Sequence, residues 1–217
     1  MKIFLIRHGE SICNTEENFT LGLPDHKVYL TDKGKKQAHN SAKFLIGYLK
    51  ENNIKFDKSR VWVSPYDRTR ETAQIFNEYL KIKDTREHIN LVEQQYGLFD
   101  SLPYEEWSKK YPNEYKHYQK CYDHNGKFWA RFPMGESVFD VAIRVHQFFG
   151  TIYRDYERHG IDTLFIFTHG TTLRTFVLQW LHYTPEWFQS EHNPKNCWIR
   201  FLDNKEDRGY IYDKVQY

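Results

Sequence analysis

Two short apolar runs constrain this chain more than any other feature. Residues 3–6 and 163–168 each read as a buried strand. The first passes through Arg7 into His8-Gly9, and the second passes directly into His169-Gly170. In an α/β sheet, ligands bind at the carboxyl ends of the strands. Two strands that each deliver a His-Gly pair to the same sheet edge imply one shared site. An imidazole there can attack phosphorus or take up a proton near neutral pH. Arg7 offers a permanent charge whose fork matches phosphate oxygens, and Gly9 lets the backbone come close to a ligand.

Further along, residues 13–29 show little periodicity and contain Gly22-Leu23-Pro24-Asp25. They read as a loop that borders the site. Asn14 in this loop can donate an amide hydrogen bond to a phosphate oxygen, although taken alone it equally suits a turn. Thr31 is placed to cap a helix with Asp32 in its first turn. Ala38, Ala42, Leu45 and Leu49 mark that helix's apolar face, and it should stop near Asn52-Asn53. Residues 60–63 form a second strand. Pro65 suits the first turn of the helix that follows it. Arg68 falls near this strand–helix junction, where it can look toward the ligand-binding edge. Arg70, two residues on, points elsewhere and reads as structural or exposed.

Residues 89–93 look like a third strand ending in the carboxylate of Glu93, followed by an insertion to about Met134. Trp107, Tyr111, Tyr115, Tyr118 and Tyr122 follow helical spacing there, with Pro112 dividing the run into two helices. Such an aromatic stripe reads as the packing face of a small helical cap over the site, with some rings touching substrate. Ser137 and Asp140 resemble a capping box for a long helix that Gly160 ends. A helix from about Gly170 to Trp180 and two edge strands, residues 197–201 and 210–212, complete the chain. The alternation of strand and helix predicts an α/β three-layer sandwich, a mainly parallel central sheet flanked by helices. The expected organisation is one domain over residues 1–217 with a cap insertion at about 98–134.

Composition narrows the function. With 31 Lys plus Arg against 29 Asp plus Glu, the net charge is only +2, which argues against a nucleic-acid partner. Three widely spaced cysteines with no Cys-x-x-Cys pair point to a reducing compartment. The apolar run at the amino terminus is shorter than the roughly 7–15 residues of a signal-peptide core. No run approaches the ~20 residues of a membrane span. The expectation is a soluble cytoplasmic protein with no membrane contact.

Gathered at one sheet edge, Arg7, His8, Asn14, Arg68, Glu93 and His169 suit a small dianionic substrate such as a phosphomonoester. Neighbouring arginines would repel a metal cation and the acid ligands of hard metals are missing. Neither metal nor cofactor is therefore expected. No Gly-x-Ser-x-Gly elbow supports a serine hydrolase.

Several motifs follow one another along the chain: Arg7-His8-Gly9-x-Ser11-x-x-Asn14, Ser64-Pro65-x-x-Arg68-Thr69-x-x-Thr72-Ala73, and Glu93 before Tyr96-Gly97. Gly135-Glu136-Ser137 and His169-Gly170-x-x-Leu173-Arg174 come next. Together they resemble the histidine phosphatase superfamily in its phosphoglycerate mutase-like branch. Thr69 stands where that family usually has Ala, and Thr171 where the mutases usually have Asn. The resemblance implies that His8 is the nucleophile and becomes a phosphohistidine. It implies that Arg7, Arg68 and His169 hold the phosphoryl oxygens, assisted by Asn14 and the backbone N–H of Gly170. It makes Glu93 the general acid and then the base for water. Because Glu93 must be protonated to donate, faster turnover at mildly acidic pH is expected.

Three activities remain on this reading: a phosphatase, a bisphosphoglycerate-dependent phosphoglycerate mutase, or a non-catalytic phospho-ligand module. Nucleophile, acid and clamp all being present disfavours the last. The mutases have Arg directly after the acid and a basic set in the insertion. Here Gln94 and a mostly aromatic insertion stand instead; Lys109-Lys110 could serve as a carboxylate clamp, but on a helix such a doublet is usually a solvated face. That favours the phosphatase, with the mutase as the alternative.

Overall fold

A computed structural model describes residues 1–15 and 22–213. Among these, six strands form one sheet: β1 (Lys2–Arg7), β2 (Ser59–Val63), β3 (Thr85–Glu87), β4 (Thr163–Thr168), β5 (Ile199–Asp203) and β6 (Glu206–Tyr212). Their spatial order is β3-β2-β4-β1-β5-β6. The first four run parallel, β5 is added antiparallel beside β1, and β6 antiparallel beside β5. The helices are α1 (Asp32–Glu51), α2 (Asp67–Leu80), α3 (Tyr104–Lys110), α4 (Pro112–Asn125), α5 (Val138–His159), α6 (Gly170–Leu181) and α7 (Pro185–Ser190). Among the described residues no helix is long and apolar enough to cross a membrane.

Alternate side chains of a strand go to opposite faces, and both faces are covered. Phe4, Ile6, Val61, Val63, Phe165 and Phe167 pack against Ala38, Ala42 and Leu45 of α1 and Ala73 and Phe76 of α2. Ile3, Leu5, Trp62, Leu164 and Ile166 pack against Val141, Val145 and Phe148 of α5 and Leu173, Phe176 and Val177 of α6. The helices after β1 and β4 thus lie on opposite faces, although the strands are neighbours in register, Arg7 beside Thr168. Chains that part in this way leave a crevice at the strands' carboxyl ends. His8 and His169 follow those two ends.

The local signals act as expected at several boundaries. Thr31 accepts from the Gly34 N–H and opens α1, and Ser137 and Asp140 form a reciprocal capping box on α5. Gly160 adopts φ 64° and closes that helix. Pro112 starts α4 one residue after α3's C-cap. The aromatic stripe is a packing face: Phe99 stacks on Trp107 at 4.5 Å and Tyr118 on Phe132 at 4.8 Å. These rings form a separate apolar cluster in the aromatic-rich helical region around α3 and α4.

Three expectations are corrected. Residues 89–93 are not a strand: Ile89–Leu91 is a single 3₁₀ turn, and the third parallel strand lies earlier, at Thr85–Glu87. His88 ends that strand, its ring accepting from the Asn90 N–H at 3.2 Å. Ile89 is 69 % exposed, so the apolar run never had two buried faces. Second, Pro65 lies just ahead of α2, which begins at Asp67 with Tyr66 as N-cap. Third, β5 is not an edge strand, because it lies between β1 and β6. Its start is displaced from Cys197, which turns through φ 59°. The loop assigned to residues 13–29 includes 16–21, which lie outside the described residues.

Candidate active site

The carboxyl ends of β1, β2 and β4 set the site's geometry through backbone hydrogen bonds. His8 N–H donates to the Thr168 carbonyl at 3.1 Å, and Ser64 N–H donates to the Phe167 carbonyl at 3.0 Å. The His8 and His169 rings therefore come edge to face, with centroids 5.2 Å apart. Gly9 proves necessary for a reason other than ligand approach. A Cβ there would lie 2.6 Å from the Gly34 carbonyl oxygen of α1. The glycine thus lets helix and strand pack closely.

His8 is buried, and its Nδ1 lies 2.7 Å from the Gly9 carbonyl oxygen. A carbonyl can only accept, so Nδ1 carries the proton and Nε2 keeps its lone pair. Burial holds the His8 imidazole well below its ordinary pKa, with the Arg68 and Arg7 guanidiniums adding to the effect. His169 is wholly buried, its Nε2 2.8 Å from Ser64 Oγ. It is held low in the same way, by burial first and then by Arg68, His8, Arg7 and Arg144. Its Nδ1 has no partner among the described residues. A buried polar atom of that kind calls for a ligand oxygen or water.

Arg7, His8, Asn14, Arg68 and Glu93 line one cavity of about 300 Å³, with Cys13 and Asp25 from the neighbouring loop and Tyr96 and Trp107 from the aromatic-rich helical region. Arg7 is pulled down by burial, against the lift from Glu93. Its Nη1 donates to the Pro194 carbonyl, and its Nε is buried without a partner among the described residues. Arg68 is not free: Nη1 donates to Asp25 Oδ1 at 2.8 Å and Nη2 to Asp25 Oδ2 at 3.2 Å. Burial opposes its charge, but Asp25, with Cys13 and Glu93, more than offsets that and its pKa is raised. Its Nε, like that of Arg7, is buried without a partner among the described residues. Asn14 Oδ1 accepts from Ser11 N–H at 3.1 Å and from Asn196 Nδ2 at 3.1 Å. That leaves the Asn14 amide nitrogen as its donor.

Glu93 sits at the start of α6. Oε1 accepts from the N–H of Gln94 at 2.9 Å and of Thr172 at 3.2 Å, and Oε2 accepts from the N–H of Thr171 at 3.2 Å. A helix N-terminus is a natural seat for a carboxylate. Gly170 is the first residue of α6. A Cβ there would lie 2.3 Å from Asn193 Oδ1, and the residue is not part of the cavity wall around His8. Arg70 pairs with Glu87 at 2.7 Å and Asp67 at 3.0 Å, away from the cavity. Lys109 pairs with Glu106 on the exposed face of α3. Among the described residues no group of three or more His, Cys, Asp or Glu converges as a metal site.

Arg144 and Asp25 were not legible as site residues. From α5, Arg144 donates to the carbonyls of Asn90 and Val92 at 2.8 Å and of Glu93 at 3.1 Å. It also grips the Glu136 carboxylate at 2.8 and 3.0 Å. Only its spacing of eight from Glu136 could have signalled this. We expect Arg144→Met to destabilise the protein by about 3 kcal/mol, since Glu136 would lose its partner in a partly buried ion pair. Chemical denaturation measures this, and a loss below about 1 kcal/mol would show the pair to be dispensable.

A neutral, oriented imidazole flanked by two guanidiniums and a carboxylate defines a phosphoryl-transfer class of site. The sequence model described as the histidine phosphatase superfamily (branch 1) matches residues 3–214, and the chain belongs to that superfamily. It is 31 % identical to the phosphoglycerate mutase-like protein AT74 of Arabidopsis thaliana over 93 % of this chain, spanning 64 % of that protein's length. It is 25 % identical to the broad-range acid phosphatase DET1 of Saccharomyces cerevisiae, over 94 % of this chain and 85 % of that protein. In fold it resembles the α-ribazole phosphatase of Shigella flexneri, with a TM-score of 0.74 at 19 % identity over 100 % of this chain and 99 % of that one.

Proposed function

We propose that the chain is a phosphomonoester hydrolase working through a phosphohistidine on His8, as one histidine phosphatase domain with its cap at about 98–134. The observation that carries this reading is the His8 Nδ1–Gly9 carbonyl contact at 2.7 Å, which leaves Nε2 with its lone pair on a residue that lines the cavity. In the first step Nε2 bonds to phosphorus, the P–O bond to the leaving group breaks, and Glu93 protonates the departing oxygen. In the second, Glu93 takes a proton from water, the hydroxide attacks phosphorus, and the P–N bond returns its electrons to Nε2. Arg7, Arg68, Asn14 and His169 Nδ1 neutralise or bond the equatorial oxygens, and the N-terminus of α6 at Gly170 adds a favourable field.

Gln94 and the absence of Lys or Arg from residues 96–107 of the cavity wall favour hydrolysis over transfer to a second anionic acceptor. The three free cysteines support a cytoplasmic setting. The test is phosphate release from p-nitrophenyl phosphate beside a coupled 3-phosphoglycerate mutase assay. Release exceeding mutase flux is expected, and the reverse order would overturn the hydrolase in favour of the mutase.

A further inference from the structure

The cavity that holds His8 has two walls of different chemistry. The sheet side brings Arg7 and Arg68. The cap side brings Tyr96, Asp100, Ser101, Leu102 and Trp107, with no basic residue among them. Asp100 ends the 3₁₀ turn Gly97–Phe99, and its Oδ1 accepts from the Tyr96 N–H at 3.3 Å. Among the described residues it forms no ion pair, whereas Asp25 is engaged by Arg68. Burial, then the field of Asp25, pushes the Asp100 carboxyl up to about 6. A carboxylate so placed has acceptor capacity left over.

We infer that the cap side of this cavity, with Asp100 as its acceptor, selects phosphate esters whose leaving group carries neutral hydroxyls, namely sugar or polyol monophosphates. The inference rests on the hydrolase reading above and adds the class of leaving group to it. Once the phosphoryl group occupies the guanidinium side, the leaving group has to lie along the cap side. A second anion there meets Asp100 with no cation of its own, Arg68 being already paired with Asp25, and like charges at short range in a partly dry site repel strongly. An ammonium would pair with Asp100 but would have to give up its strong hydration in a partly dry site. Hydroxyls escape both penalties: they donate to Asp100, and Ser101 can answer with a second hydrogen bond. Trp107 has its N–H committed to the Leu102 carbonyl at 3.1 Å. It therefore offers only ring surface, which suits the C–H groups of a polyol.

Glycerol 3-phosphate and 3-phosphoglycerate make a matched pair, differing by a hydroxymethyl in place of a carboxylate. For the wild-type protein we expect kcat/KM about 100-fold higher on glycerol 3-phosphate, with phosphoethanolamine also below it. In Asp100→Asn that ratio should fall about tenfold, the scale of one hydrogen bond to a charged group, and in Asp100→Lys it should invert. Because both substrates are compared on one preparation, a variant that folds incompletely leaves the ratio intact. A ratio unmoved by either substitution, or a wild-type preference for the carboxylate or the ammonium, overturns the inference. Absence of phosphate release from p-nitrophenyl phosphate by the wild type would instead overturn the hydrolase reading itself.

Discussion

His8→Asn should abolish turnover, lowering kcat by roughly 10⁴-fold or more, the scale seen when a covalent nucleophile is removed, while the protein stays folded. Asn is chosen because its amide can still donate to the Gly9 carbonyl where Nδ1 now does. The variant thus loses the nucleophilic nitrogen while keeping the local hydrogen bond. Rapid acid-free quenching after incubation with labelled substrate should trap an acid-labile phosphoryl adduct on the wild type and none on the variant. A variant retaining a substantial share of wild-type activity would mean that another group attacks phosphorus.

The direction of the His8 shift adds a test by pH. Burial and two guanidiniums favour the neutral ring, so Nε2 keeps its lone pair well below about pH 6.5, where an ordinary imidazole would have lost it to a proton. The acidic limb of kcat/KM should accordingly fall below about pH 6.5. A limb centred there or higher would show that the ring titrates normally.

The parts that were readable in the sequence are those whose signal is local. The two histidines follow short apolar runs that read as buried strands, and parallel pairing of those strands brings the rings together. Thr31, Pro112, Ser137 and Gly160 act on their own backbone, so their positions carried over. Glu93 lies on the cavity wall, but the strand expected to carry it there does not form. Its backbone is held by Arg144, which binds three carbonyls of residues 90–93 from 51 to 54 residues away in sequence, and its carboxylate by the Thr171 and Thr172 N–H groups of α6. Asp25 shows the same limit of sequence. As part of Gly22-Leu23-Pro24-Asp25 it carries a turn signal only, and its role as the anion already paired with Arg68 emerges when the loop folds back across α2. Short-range patterns specify elements, whereas side-chain pairing across them depends on the assembled fold.

Glu93→Gln should leave the first chemical step intact for one kind of substrate and cripple it for another. An alkoxide leaving group needs a proton as the P–O bond breaks, and general acid–base catalysis of this kind contributes about 10²–10⁴-fold. A nitrophenolate leaves without help. On an alkyl phosphate the variant should therefore lose roughly 10³-fold in kcat/KM, with little adduct formed. On p-nitrophenyl phosphate the first step should proceed and the second, which needs Glu93 as base for water, should stall. The expected signature is a burst of nitrophenol equal to the enzyme concentration, followed by slow turnover, with phosphohistidine accumulating on His8. The carbonyl oxygen of the new amide can still accept from the N–H groups that hold Oε1 at 2.9 and 3.2 Å, whereas its NH2 loses the bond that Oε2 accepts from the Thr171 N–H at 3.2 Å. The two variants thus separate the steps: removing the nucleophile gives no adduct, and removing the acid–base group gives adduct that persists. Equal losses on both substrates with no burst would show that Glu93 shapes the pocket without moving a proton.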